Sequence, residues 1–212
     1  MVSKMDDFKK ELITLIDESI CSLGGKRREE GIYTFNLNKE VMGWLGCGAN
    51  AGKSKGQYYQ VYPVIGVRHV ELEKLVSNLS GEKYHNYIPP SMVRPVGYLM
   101  PETKAETWIF WKSKPVDATI MSLIRSIEIY GMPFMETHNN LDAIVDSMMK
   151  GMGLVDISLQ RIPAGLYLLG RVDEAIDFLE DRIEGEEASK YPLDDDQLLF
   201  YTNLLREMNA SN

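Results

Sequence analysis

The stretch Leu45-Gly46-Cys47-Gly48-Ala49-Asn50-Ala51-Gly52-Lys53-Ser54-Lys55-Gly56-Gln57-Tyr58-Tyr59-Gln60-Val61 decides how this chain is read. Its Gly52-Lys53-Ser54 invites a nucleotide-binding P-loop, in which backbone amides wrap phosphates and the lysine reaches the terminal ones. That pattern needs a glycine where Cys47 stands, and Gly46 and Gly48 miss by one on either side. The context departs further. A P-loop feeds a helix whose N-terminus faces the phosphates, whereas Gln57 to Val67 is rich in Tyr and Val and reads as strand. No later apolar strand ends in an Asp of the kind that holds magnesium. The stretch is expected to be a glycine-rich hairpin connection, with Lys53 and Lys55 available to an acidic partner.

On its N-terminal side, Met5, Phe8, Leu12, Leu15, Ile16, Ile20 and Leu23 recur at helical spacing, and Gly24-Gly25 supplies a stop. After the basic link Lys26-Arg27-Arg28, the run Ile32 to Leu37, a turn at Asn38-Lys39 and the run Glu40 to Cys47 read as strands. Gln57 to Val67 extends them into an antiparallel meander, with Pro63 marking an edge position or a bulge. Leu72, Leu75, Val76 and Leu79 predict a second helix over Val70 to Leu79, stopped by Gly81. Val96 to Met100 and Thr107 to Trp111 would complete a sheet of about five strands.

From Pro115, placed for a first helical position, the period is helical almost to the end. Asn139 or Asn140 caps one helix, Gly170 ends another at about Leu169, Asp173 caps the next, and Asp194 to Met208 forms the last. The order predicts an α+β fold, with a helix and mainly antiparallel sheet over 1–112 and a helical region over 113–212, packed as one compact unit. Leu166-Tyr-Leu-Leu-Gly-Arg-Val-Asp-Glu-Ala-Ile resembles half of a tetratricopeptide repeat. A single copy predicts an ordinary helical hairpin, because such repeats bury their faces only in series.

The 212 residues carry a net charge of −8. Residues 171–212 hold twelve Asp or Glu against four Arg or Lys, so the remainder sums to zero. An acidic C-terminal region argues against direct nucleic-acid binding, which needs a basic face, and suits a basic protein partner. No stretch approaches the ~20 apolar residues of a membrane span, and the N-terminus lacks a signal peptide's apolar core, so a cytoplasmic location and no membrane contact are expected. Cys21 and Cys47 have no second cysteine nearby and are expected as buried thiols.

Chemistry-bearing motifs are sparse. His69, His85 and His138 are far apart and in no metal-ligand spacing, so no metal and no cofactor is expected. Arg68-His69-Glu71 could supply acid-base chemistry or be a satisfied strand end. No serine sits on a nucleophile elbow, and catalysis is the less favoured expectation. The long connection Gly81 to Pro95 is the best candidate for a site, since Tyr and Arg anchor interfaces, and Tyr84, His85, Tyr87 and Arg94 are its candidates. Whether it is a binding surface or a packed loop stays open. In the acidic region, Glu184, Glu186, Glu187, Asp195 and Asp196 are further candidates for partner binding. Asp194 is equally suited to cap a helix, with Asp195 and Asp196 opposing its macrodipole.

The Gly24-Gly25-Lys26-Arg27-Arg28 link after an amphipathic helix, the meander with Ile32-Tyr33-Thr34-Phe35, and the strand Tyr62-Pro63-Val64-Ile65-Gly66-Val67 together resemble, over about the first 110 residues, the immunity proteins of bacterial polymorphic-toxin and contact-dependent inhibition systems. The resemblance lies in layout. It implies an inhibitor without catalysis of its own and a protein partner, a basic toxin domain. The neutral N-terminal part departs from the acidic character many of those proteins show. Two other readings stand beside it: a small-molecule enzyme or sensor using His69, His85, Arg94 or Trp108 in a pocket between sheet and helices, and a self-associating structural subunit.

Overall fold

The computed structural model describes residues 7–52, 57–184 and 192–210, with the side chain of Asp156 left aside. Two compact units divide the chain, one of Met1–Val67 and Val93–Thr137, the other of Arg68–Met92 and His138–Asn212. This division differs from the cut at 112 expected from the sequence, because the second helix and the loop after it group with the late helices.

The first unit opens with α1 (Asp7–Ser22), whose buried face is Leu12, Ile16 and Ile20. Strands β1 (Lys26–Glu29), β2 (Ile32–Asn36) and β3 (Val41–Gly46) follow, paired antiparallel in sequence. The basic link is therefore itself a strand. In β3, Val41, Gly43 and Leu45 point inward. Gly43 has a packing reason, since a Cβ there would lie 2.3 Å from Met135 Sδ.

Pro63 does more than interrupt one strand. It separates β5 (Tyr58–Val61) from β6 (Val64–His69), and these belong to different sheets. The larger sheet runs β1-β2-β3-β6-β7, with β7 at Met92–Pro95. The smaller runs β4-β5-β8, with β4 at Ala49–Ala51 and β8 at Trp108–Trp111. Of the expected strand Thr107 to Trp111, Trp108–Trp111 forms, but it completes the second sheet. Val96 to Met100 is not a strand: β7 ends at Pro95 and Val96–Tyr98 is a 3-10 turn. Gly97 permits that turn, for a Cβ would meet Lys104 O at 2.3 Å. The connection around Gly52 is a hairpin, with Gly52 N donating to Tyr58 O at 3.2 Å and strand, not helix, following. Lys53 and Lys55 lie outside the described residues.

Helix α3 (Asp117–Ser126) starts two residues later than Pro115 allows and continues through a π-helical turn, Ile127–Gly131, into α4 (Met132–Thr137). The wider turn suits Pro133, which has no N–H to donate to the preceding turn.

The second unit contains α2 (Val70–Leu79), α5 (Leu141–Met149), α6 (Val155–Leu168), α7 (Val172–Glu184) and α8 (Asp195–Ala210). Its caps follow sequence logic. Asn140 Oδ1 accepts from Ala143 N at 2.9 Å. Asp194 Oδ1 accepts from Gln197 N at 2.7 Å while Gln197 Oε1 accepts from Asp194 N at 3.2 Å, a reciprocal capping box. Asp173 lies inside the first turn of α7 instead of capping it. Gly81 and Gly170 close α2 and α6 in the left-handed region, at φ 68° and 73°. Helices α6 and α7 form the hairpin that the repeat-like stretch predicts. The core gathers Leu72, Val76, Ile144, Leu166, Leu179 and Phe200. The architecture is α+β.

Candidate functional site

In the second unit, α2 places an acid where its apolar stripe should continue. Glu73 is 1% exposed, beside Leu72 and Val76. Arg161, from α6, meets it as a bidentate fork: Nε donates to Oε1 and Nη2 to Oε2, each at 2.7 Å. Ser91 Oγ donates to Oε1 at 2.7 Å, and Arg68 Nη1 stands 3.3 Å from Oε2. Three hydrogen bonds and the Arg68 ion pair thus surround the carboxylate. The buried carboxylate ties α2, α6 and the segment at Ser91 together, so the cluster is a clasp.

Arg68 is fully buried and extends the clasp to the loop. Its Nη1 donates to the carbonyl of Pro89 and its Nη2 to that of His85, and the guanidinium lies 5.2 Å from the centre of the Tyr84 ring. Its Nε has no hydrogen-bond partner among the described residues. The loop also holds itself: His85 Nδ1 accepts from Tyr87 N and Ile88 N, both at 3.2 Å, and the His85 and Tyr87 rings meet edge-on at 5.5 Å. His85 is exposed while Tyr84 and Tyr87 are half-buried.

The candidate residues therefore separate into groups. Tyr84, His85 and Tyr87 share the clasped loop. Arg94 belongs to β7 in the first unit, 5.9 Å over the Tyr98 ring, so the tail of the presumed loop is strand. Asp195 and Asp196 are exposed in the first turn of α8, and Glu184 is exposed at the end of α7. Glu186 and Glu187 lie outside the described residues.

The acid-base triplet is rearranged. Glu71 is exposed and pairs with Lys74 at 2.8 Å, and it is Glu73 that Arg68 reaches. His69 is the N-cap of α2, its Nδ1 accepting from Leu72 N at 3.2 Å. Trp108 Nε1 donates to Ser122 Oγ at 3.2 Å. Each residue of the small-molecule reading thus has a local structural role. A concavity of about 900 Å³ between α1 and α3 in the first unit is lined by residues including Ser19, Met121, Arg125 and Ile129, and by none of those four.

The thiols differ. Cys21 is exposed, contrary to expectation, because α1 turns Ile16 and Ile20 inward and leaves the next position out. Cys47 is buried, and burial, reinforced by the Asp17 charge, pushes its thiol up to about 12. That suppresses the thiolate a nucleophile needs. Among the described residues no group of three or more His, Cys, Asp or Glu could hold a metal ion, and no helix is long and apolar enough to cross a membrane.

Sequence reading missed the clasp. The available signal was Glu73 three residues before Val76, on the inward side of α2, which called for a buried cationic partner without saying which.

The fold and this site define an α+β protein with a clasped surface loop and an acidic helical region. No known protein family, curated protein or solved structure matches the chain.

Proposed function

We propose that this chain is a non-catalytic protein-binding module that inhibits or sequesters a basic partner, in the manner of the immunity proteins its layout resembles. The observation that carries the reading is the clasped loop. Two loop carbonyls anchored on a buried arginine fix the backbone of residues 85–89 before any partner arrives, so little ordering entropy remains to oppose binding. Exposed Glu184, Asp195 and Asp196 add a negative surface whose attraction raises the association rate.

The test is a pull-down from the native host at low salt with the wild-type chain, followed by kinetics with the recovered partner. His85→Ala with Tyr87→Ala is expected to speed dissociation. Asp195→Lys with Asp196→Lys is expected to slow association and flatten its salt dependence. Recovery of no stoichiometric partner would count against the proposal.

A further inference from the structure

The small sheet of the first unit has an edge whose chemistry is legible. Lys112 N donates to Gln57 O at 3.1 Å, continuing the β5–β8 ladder beyond the Tyr58↔Trp111 pair. Hydrogen-bonded and non-bonded pairs alternate along an antiparallel ladder. The pairs Tyr58↔Trp111 and Gln60↔Ile109 are therefore non-bonded. The hairpin agrees, because Tyr58 O already accepts from Gly52 N on the opposite side. The backbone amides of Ile109 and Trp111 consequently point away from β5, outward from the terminal strand of the sheet.

The same two residues present their side chains to solvent, with Ile109 41% and Trp111 37% exposed, while Trp108 and Phe110 are buried. Trp111 lies against Tyr58 with ring centres 4.7 Å apart. Exposed Lys112 and Lys114 follow directly. Segment 107–114, which contains β8, holds these two lysines and no Asp or Glu, in a chain of net charge −8.

We propose that the outer edge of β8 accepts an extended acidic segment of a protein partner as a fourth strand. The outward amides of Ile109 and Trp111 donate to the added strand while Trp111 O accepts from Lys114 N at 3.1 Å, Ile109 and Trp111 supply an apolar shelf, and Lys112 and Lys114 select carboxylates. A second copy fits less well: pairing β8 with another β8 would add each copy's lysines to the other's, the repulsion that guards natural sheet edges. The site is separate in residues and opposite in charge from the loop and acidic helices above, so either proposal can fail alone.

The test titrates the full chain with a short peptide alternating valine and glutamate, with its valine–lysine counterpart, and with an oligothymidylate as a single-stranded nucleic acid. Saturable binding of the glutamate peptide, with slowed hydrogen exchange at the Ile109 and Trp111 amides, is the expected result. Ile109→Pro removes an outward amide without touching the ladder to β5, and is expected to weaken binding about tenfold or more. Should that variant fail to fold, Lys112→Glu with Lys114→Glu is expected to weaken the glutamate peptide by a similar factor and favour the lysine peptide. The proposal is overturned by no binding, by equal affinity for both peptides, by preference for the oligonucleotide, or by concentration-dependent self-association that occupies the edge.

Discussion

Two arginines of the second unit each serve several oxygens, and they differ in where they do it. Arg68 is wholly buried, with Glu73 and two loop carbonyls around it. Arg171 pairs with Asp146 at 2.8 Å, Glu174 at 2.7 Å and Asp142 at 3.5 Å, but its side chain is 27% exposed and its partners are more so. By count of ion pairs Arg171 is the richer. Burial reverses the ranking, since water can replace any partner of Arg171 and none of Arg68's or Glu73's.

The largest expected effect follows from removing the anion at the centre of the buried cluster. Glu73→Gln leaves Arg68 and Arg161 buried without their common carboxylate, and should cost about 3–5 kcal/mol in urea unfolding. Loop amides at Tyr87 and Ile88 should exchange faster as the clasp loosens. The comparison is sharpened by replacing all three charges together, Arg68→Met, Glu73→Leu and Arg161→Met. If the cluster serves geometry more than stability, this variant recovers most of the loss while the loop stays loose. A triple variant as unstable as Glu73→Gln would show that the ion pairs themselves stabilise the unit.

An intermediate case lies in the first unit, where the Tyr33 hydroxyl donates to Asp17 and Arg27 Nη1 reaches the same carboxylate at 2.7 Å. Tyr33 is buried but Arg27 is 46% exposed, so this cluster has one dry side and one wet side. Burial raises the Tyr33 phenol far above its ordinary range, with the hydrogen bond and charge of Asp17 adding to it, and Cys47 is pushed up to about 12. Both folded-state values exceed the unfolded ones. Their contribution is therefore complete below the unfolded values, 9.0 for the thiol and 10.0 for the phenol, and is lost as pH rises from there toward the folded values. Urea midpoints should hold to about pH 9 and then fall, by at most about 1.4 kcal/mol per pH unit for each group. Cys47→Ala should move the onset up to about pH 10, the phenol's unfolded value. Midpoints level through the alkaline range would break the claim that these groups stay protonated when folded.

The same contrast between buried and wet explains what could be read from the sequence. Periodicity located α1 and α2, glycines located their ends, and the pair Asn139-Asn140 and Asp194 announced caps, because each is a local rule acting over a few residues. The α+β class follows from that order. The assignment of strands to sheets was hidden: Pro63 is visible as an interruption, but only the outcome shows that it hands the chain from one sheet to another. The clasp was hidden for a related reason, since Glu73 and Arg161 are 88 residues apart and no pattern links them. The loop was legible as unusual, through Tyr84 to Pro90, yet its anchor, Arg68, sits before the helix that precedes it.

The smallest expected effect is at Arg171, and it tests the comparison from the weak side. Its hydrogen bonds hold Asp146 and Glu174 below their ordinary 3.8 and 4.5, and the carboxylates in turn raise the guanidinium. For acids with lowered folded values, stability is present above the unfolded value and is lost as pH falls through the folded one. Arg171→Ala should therefore leave the urea midpoint at neutral pH and physiological salt nearly unchanged, and make the decline below about pH 4 slightly shallower. The triad α5–α6–α7 stays packed through Val145, Leu166 and Leu179, which the substitution does not touch. A loss comparable to that of Glu73→Gln would mean that the number of ion pairs, and not their separation from water, sets the stability of this unit.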